Sequence, residues 1–300
     1  MSEQAAILTE KLTKHYGNFP ALVDLDLEVR SGEIFGFLGP NGAGKTTMIR
    51  TILDEIRPTS GTATILGLDS HAQSVEIRNH IGYVPGDLAM YPNLTGRDTI
   101  TYFANLRGGV DWALVETLSE RLDADLSKKV GDLSSGNRQK VGLIQAFMNR
   151  PELLIMDEPS SGLDPLVQRE FQKMMREVVA DGRTVFLSSH TLSEVQRVAD
   201  RVGIIRHGKL IAVEGVADLR SKAIRTVTLI FDETVDGGIF VGVPGVRDVR
   251  VDNHHVMVSF DGQMEQLLGV ATDAHRLLDI STQEADLEEI FLTYYEEVQA

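Results

Sequence analysis

The chain has 300 residues, 42% hydrophobic and 24% charged, which suits one large or two ordinary globular domains with a real core. Its net charge of −15 argues against a nucleic-acid partner, whose phosphates would be repelled, and no apolar run is long enough to cross a bilayer. The lack of cysteine excludes disulfides, a thiol nucleophile and thiolate metal sites, and the acidic first residues, with no apolar core, predict no export signal.

In chain order, residues 7–12 and 25–29 read as strands joined through a Tyr16-Gly17-Asn18 turn. Residues 34–38 read as a buried strand, and 47–56 carry Met48, Ile49, Ile52, Leu53 and Ile56 at helical spacing. Between them stands Gly39-Pro40-Asn41-Gly42-Ala43-Gly44-Lys45-Thr46, an unbroken G-x-x-x-x-G-K-[ST] phosphate loop in the strand-to-helix context that the motif requires. Gly39, Gly42 and Gly44 let the backbone wrap tightly and aim its N–H groups inward. The positive end of the new helix completes an anion site. Lys45 is placed to reach β- and γ-phosphates, and the Thr46 hydroxyl to bind Mg²⁺.

Further along, strands are expected at 62–66 and 81–84, and helices at 95–106, with Thr95 as N-cap, and at 112–122. A helix from 136 to 148 follows Leu133-Ser134-Ser135-Gly136-Asn137. Hydroxyls and free N–H groups there form either a second anion site or a simple helix cap. The wholly apolar strand 153–156 ends in Asp157-Glu158-Pro159, and carboxylates at such a strand end lie where open α/β sheets bind ligands. Asp157 is expected to hold Mg²⁺, and Glu158 to polarise an attacking water as general base. Helix 166–180, strand 184–187, helix 191–199 and strand 202–205 complete an alternation that predicts a doubly wound α/β sheet. Two phosphate sites with one metal-and-base pair imply two subunits that complete each other's pockets.

Residues 217–300 hold 16 Asp and Glu against 6 Lys and Arg, an asymmetry that predicts a boundary near 215–224. Beyond it, strands at 227–231, 246–251, 256–260 and 277–280 and helices at 264–271 and 286–295 predict a small α+β appendage. Asp286 and Glu289 form a capping-box-like start to the last helix.

Over roughly residues 5–215 this ordered set resembles the nucleotide-binding subunit of ABC transporters. Residues 39–46 are similar to its Walker A, 133–137 to its signature motif, 153–158 to its Walker B, and Ser161-Gly162-Leu163-Asp164 to its D-loop. His190 resembles the switch histidine that contacts the γ-phosphate. Tyr16 sits where the family stacks an aromatic on adenine, or is a plain turn tyrosine. The resemblance implies a P-loop NTPase fold of ABC type, with an N-terminal antiparallel β part and a helical subdomain. It implies ATP contacts from Gly39, Asn41, Gly42, Gly44, Lys45, Thr46 and Thr47, and from Ser134 and Gly136 of a second, identical subunit. Asp164 either caps the turn that follows it or reaches across the dimer. Residues 87–93, with Leu88, Met90 and Tyr91, either contact an integral-membrane permease or pack locally. The subunit would work in the cytoplasm, on the inner face of the membrane.

Residues 224–300, including Leu287-Glu288-Glu289-Ile290-Phe291, resemble the accessory region of ABC-2-type exporters such as drug-resistance systems. That implies export of a drug-like or lipophilic compound. A nucleotide-dependent binding switch with little catalysis, or a soluble ABC ATPase of translation or DNA repair, are the alternatives. Two departures stand out. The position of the family's Q-loop glutamine is Gly86, followed by Asp87, and either Asp87 or solvent is expected to take over part of the lost Mg²⁺ or water contact. The signature ends in Asn137 in place of Gln, with the same donor and acceptor types.

Overall fold

The computed structural model describes residues 5–222 and 225–283, so the expected helix at 286–295 lies outside the described residues. The chain divides into two compact units, Met1–Glu214 and Gly215–Ala300.

The first unit opens on a long hairpin, β1 (Ala5–Tyr16) and β2 (Phe19–Arg30). Both strands outrun the apolar runs expected at 7–12 and 25–29, because bulges at Lys11 and Asp24, each with positive φ, break the alternation without ending the pairing. The break is held by polar groups: Asp24 N–H donates to Thr13 Oγ1 at 3.0 Å, and Lys11 N–H to Asp26 Oδ1 at 2.6 Å. Next come β3 (Ile34–Leu38), α1 (Lys45–Ile52), β4 (Ser60–Ile65), β5 (Leu68–Asp69), α2 (Ser74–His80) and β6 (Ile81–Val84). α1 starts two residues before the expected 47 and ends short of 56, where Asp54 turns left-handed at φ 57°. α2 buries only Ile77, too little for an apolar period to mark it in sequence.

Three helices follow, α3 (Gly96–Leu106), α4 (Trp112–Arg121) and α5 (Ser135–Phe147), with α3 and α4 packed on α5 and α5 on β6. Thr95 caps α3 in a full capping box with Asp98, as its sequence position suggests. The chain returns through β7 (Leu153–Asp157), α6 (Pro165–Ala180), β8 (Thr184–Ser189), α7 (Leu192–Val198), β9 (Arg201–Arg206) and β10 (Lys209–Gly215).

The strands form an antiparallel sheet ordered β2-β1-β4-β5 and a six-stranded sheet ordered β10-β9-β3-β8-β7-β6. In the larger sheet β9, β3, β8, β7 and β6 run parallel. Every residue of β3, β7 and β8 is buried, as central strands covered on both faces must be. On one face Phe35 and Phe37 meet Phe186 with ring centroids 6.0 and 5.6 Å apart. They share a core with Met48, Ile49 and Ile52 of α1 and with Ile7, Leu25 and Ile65 of the antiparallel sheet. α1 is therefore clamped between two sheets, and the loop before it is anchored at its far end. On the opposite face Gly36 has no room for a side chain: a Cβ there would stand 2.1 Å from Val195 of α7.

The second unit contains α8 (Val216–Lys222), β11 (Arg225–Phe231), β12 (Val246–Asp252), β13 (His255–Phe260), α9 (Met264–Ala274) and β14 (Leu277–Gln283). Its strands make an antiparallel sheet ordered β12-β13-β11-β14. Val227, Leu229 and Phe231 alternate with half-buried residues, and pack with Val256, Val258, Phe260 and Leu267 into a core of their own. Among the described residues no helix is long and apolar enough to cross a membrane.

Candidate active site

β3 delivers the chain to Gly39, and α1 takes it up at Lys45. Between them Gly42 and Gly44 have φ of 80° and 111°. A Cβ at Gly39 would lie 2.4 Å from the carbonyl oxygen of Ile205, and one at Gly44 would lie 2.7 Å from that of Ala21. The loop is thus wedged between β9 and β2, and only glycine fits at these turns. Asn41 and Gly42 are exposed, and Thr47 is half-buried on the first turn of α1.

Lys45 is 6% exposed. Its Nζ donates to the carbonyl oxygens of Gly39 at 2.6 Å and Pro40 at 3.3 Å, and lies 3.3 Å from Glu158 Oε1. At the next residue, Thr46 Oγ1 donates to Asp157 Oδ2 at 2.7 Å. Asp157, the buried last residue of β7, also accepts through Oδ1 from Ser188 Oγ of the neighbouring β8. Glu158 then leaves the strand with φ 50°, a left-handed turn uncommon for a residue with a side chain. Its N–H donates to the carbonyl oxygen and the hydroxyl of Ser188, each at 3.2 Å. The turn sends the carboxylate between Lys45 and His190, whose Nδ1 is 2.8 Å from Glu158 Oε2. Lys45, Thr46, Asp157, Glu158 and His190, far apart in sequence, thus form one cluster at the ends of β3, β7 and β8.

The remaining expected residues lie elsewhere. Tyr16 stands at the tip of the β1–β2 hairpin, 49% exposed, with Lys14 Nζ 5.2 Å from its ring centre. Ser134 caps α5 by accepting from Asn137 N–H at 3.2 Å. Gly136 packs on the D-loop, where a Cβ would meet the carbonyl oxygen of Gly162 at 2.2 Å. Asp164 caps α6, accepting from the N–H groups of Leu166 and Val167 at 3.0 Å. The Val167 N–H, then that of Leu166, holds the Asp164 carboxyl below the usual carboxylate range. Asp87 is exposed and is not among the partners of Asp157, which are Thr46 and Ser188. It is Gly86 that faces the cluster: a Cβ there would stand 3.1 Å from Asp157 Oδ2.

The ABC transporter family profile matches residues 22–161. The bacitracin transport ATP-binding protein BcrA of Bacillus licheniformis is 39% identical over 208 residues, which cover 68% of each chain. The linearmycin resistance ATP-binding protein LnrL of Bacillus subtilis is 30% identical over 298 residues, covering 94% of this chain and 96% of its own. The chain belongs to the ABC transporter ATP-binding subunits. A solved ATP-binding subunit of an ABC transporter, 32% identical, covers 72% of this chain and 92% of its own with a TM-score of 0.65. The dimeric cassette MJ0796 bound to ADP and Pi shares the fold at 22% identity, with a TM-score of 0.65 over 70% of this chain and 98% of its own. As a member of the ABC ATPases, the chain binds and hydrolyses ATP, and its first unit is a P-loop NTPase of ABC type.

Three polar neighbours of these residues in this ABC subunit escape a reading of the sequence. Ser188 orients Asp157, Gln139 donates to the carbonyl oxygen of Pro159 at 2.9 Å, and Glu194 accepts from Ser160 and Ser189. The one signal in the sequence is the Ser188-Ser189 pair, two small polar residues ending an otherwise apolar strand.

Proposed function

We propose that the chain is the motor of an exporter for a drug-like or lipophilic compound, working as a homodimer on the inner face of a membrane with a separate permease. The observation that carries the site assignment is the convergence of Lys45, Thr46, Asp157, Glu158 and His190. Lys45, the loop amides and the N-terminus of α1 suit the β- and γ-phosphates of ATP, with Gly39, Asn41, Gly42, Gly44 and Thr47 lining the approach. A polyphosphate offers Lys45 more acceptors than Glu158 does, so its arrival would free the Glu158 carboxylate. The hydroxyl of Thr46 and the carboxylate of Asp157 are hard oxygen donors of the type Mg²⁺ prefers, and they already converge within 2.7 Å. When bound there, Mg²⁺ supplies charge neutralisation at the phosphates.

Glu158 takes a proton from the attacking water, and His190, within hydrogen-bond reach of Glu158, steadies that carboxylate and the γ-phosphate. Tyr16 stacks on the adenine. Ser134, which caps α5, and Gly136, which packs beside Gly162, serve the nucleotide of the partner subunit. Asp164, besides its cap, lies at that seam. The domain assignment is 5–215 for the ATPase and 224–300 for an accessory domain. Export is supported by the relatives, named for bacitracin transport and linearmycin resistance. For the permease, Leu88, Ala89 and Met90 line a groove of about 450 Å³ with Tyr83, Phe103 and Leu106, large enough to accept part of a cytoplasmic helix.

The test is steady-state ATP hydrolysis by wild type and Glu158→Gln. The variant should lose about 100-fold or more in turnover, keep ATP affinity, and elute as a nucleotide-bound dimer. Turnover close to wild type would remove Glu158 from the role of base. Because the chain has no cysteine, single cysteines introduced at residues 88–91 should crosslink to a co-expressed permease. A complex that forms without such crosslinks would place the permease elsewhere.

A further inference from the structure

Glu194 lies in the first turn of α7, four residues beyond His190. Its Oε2 accepts from Ser160 Oγ at 2.8 Å and from Ser189 Oγ at 3.0 Å. These hydroxyls belong to different strand ends. Ser160 is in the turn that follows Glu158, and Ser189, 1% exposed, immediately precedes His190. The Ser189 oxygen also accepts from Thr191 N–H at 2.9 Å, so Glu194 is tied to the backbone on both sides of the histidine.

Both neighbours need such support. Glu158 holds its direction through a left-handed backbone at φ 50°. The His190 side chain is 54% exposed and is held at Nδ1 by Glu158. If the turn after β7 and the end of β8 drift apart, the 2.8 Å contact between base and histidine is lost. A residue linking those two segments sets that spacing.

We propose that Glu194 is a positioning residue for ATP hydrolysis, joining the Ser160 turn to the Ser189 strand end and thereby fixing Glu158 against His190. This rests on the roles proposed above for Glu158 and His190. A competing role is an acid in the first turn of a helix, favoured by the macrodipole alone. The geometry separates the two, because the Glu194 oxygen accepts from two hydroxyls outside the helix.

The experiment uses the purified full chain, initial rates of Mg·ATP hydrolysis across ATP concentrations, and thermal unfolding. Glu194→Ala should lower kcat roughly tenfold, the scale of losing hydrogen bonds to a charged acceptor, with KM changed by no more than about twofold. Glu194→Gln keeps an acceptor oxygen and should stay within about threefold of wild type. Ser160→Ala leaves α7 untouched and should lower kcat in the same direction, non-additively with Glu194→Ala. Should Glu194→Ala fail to fold, Ser160→Ala and Glu194→Gln carry the test.

Unchanged kcat in Glu194→Ala, a Gln variant as poor as Ala, or a silent Ser160→Ala each overturn the positioning role. A macrodipole role alone gives the last two together, with Tm lowered alike in Gln and Ala. Glu158→Gln serves as control. If it turns over normally, the site reading falls and takes this one with it. If it is inactive while Glu194→Ala is normal, only the role of Glu194 falls.

Discussion

Lys45 carries a buried positive charge, and the chain neutralises it with the carboxylate of Glu158. The ion pair with Glu158 at 3.3 Å, one partner 6% exposed, links the phosphate loop to the end of β7. The sequence makes Lys45, Thr46, Asp157 and Glu158 legible because their chemistry depends on immediate neighbours: a glycine-rich turn before a helix, and carboxylates after an apolar strand. Ser188, Gln139 and Glu194 are hard to read for the opposite reason, since they meet Glu158, Pro159 and Ser160 across 20 to 34 positions of sequence. Asp87 shows the limit from the other side. Its place beside Gly86 suggests a substitute for a missing amide, yet the backbone turns position 86 toward Asp157 and leaves Asp87 exposed. Asp87→Ala should therefore keep Mg²⁺-dependent turnover within about twofold, since the lost carboxylate is not a hydrogen-bond partner of Thr46 or Asp157. A tenfold fall in the same assay would bring Asp87 back into the site. Gly44→Ala is the contrasting case. It combines φ 111° with a Cβ 2.7 Å from the Ala21 oxygen, so it should cost on the order of 2 kcal/mol and abolish ATP retention, read by denaturant unfolding and equilibrium binding.

At the scale of elements, sequence pattern marks those that bury a continuous apolar face, and misses those held by something else. β3, β7 and β8 stand out as uninterrupted apolar runs because both faces are covered. α2, with Ile77 as its one buried residue, and the outer halves of β1 and β2, carried past their bulges by side-chain hydrogen bonds, leave no such trace. α6 adds a term that pH reveals. Its cap, Asp164, has its carboxyl lowered by the N–H groups of Val167 and Leu166, so the folded chain favours the charged form. A depressed acid stabilises fully above its unfolded value, near ~3.9, and loses that contribution as pH falls through the lower folded value. Asn at this position can still accept the two N–H groups but carries no charge. Urea unfolding should accordingly show Asp164→Asn less stable than wild type at pH 7, with the gap closing as pH drops below about 4. A gap that stays constant, or widens in acid, would contradict this origin.

For the whole molecule, the charge asymmetry and the change of strand pattern near residue 215 coincide with a change of architecture, from a parallel sheet with helices on both faces to an antiparallel one with its own core. Lys45, Thr46, Asp157, Glu158 and His190 all lie in the first unit. Its core tests that division. Leu229 is fully buried in the centre of β11, between β13 and β14, among Val227, Val256 and Phe260. Leu229→Ala removes three carbons from a close-packed interior and should cost about 2–5 kcal/mol within the second unit. Because the two cores are distinct, the loss should appear as faster amide hydrogen exchange across residues 225–283, while the exchange of β3, β7 and β8 and the affinity for ATP stay as in wild type. Faster exchange in both units together, with weakened ATP binding, would mean that the cores unfold as one cooperative body, and that the appendage underwrites the stability of the motor itself.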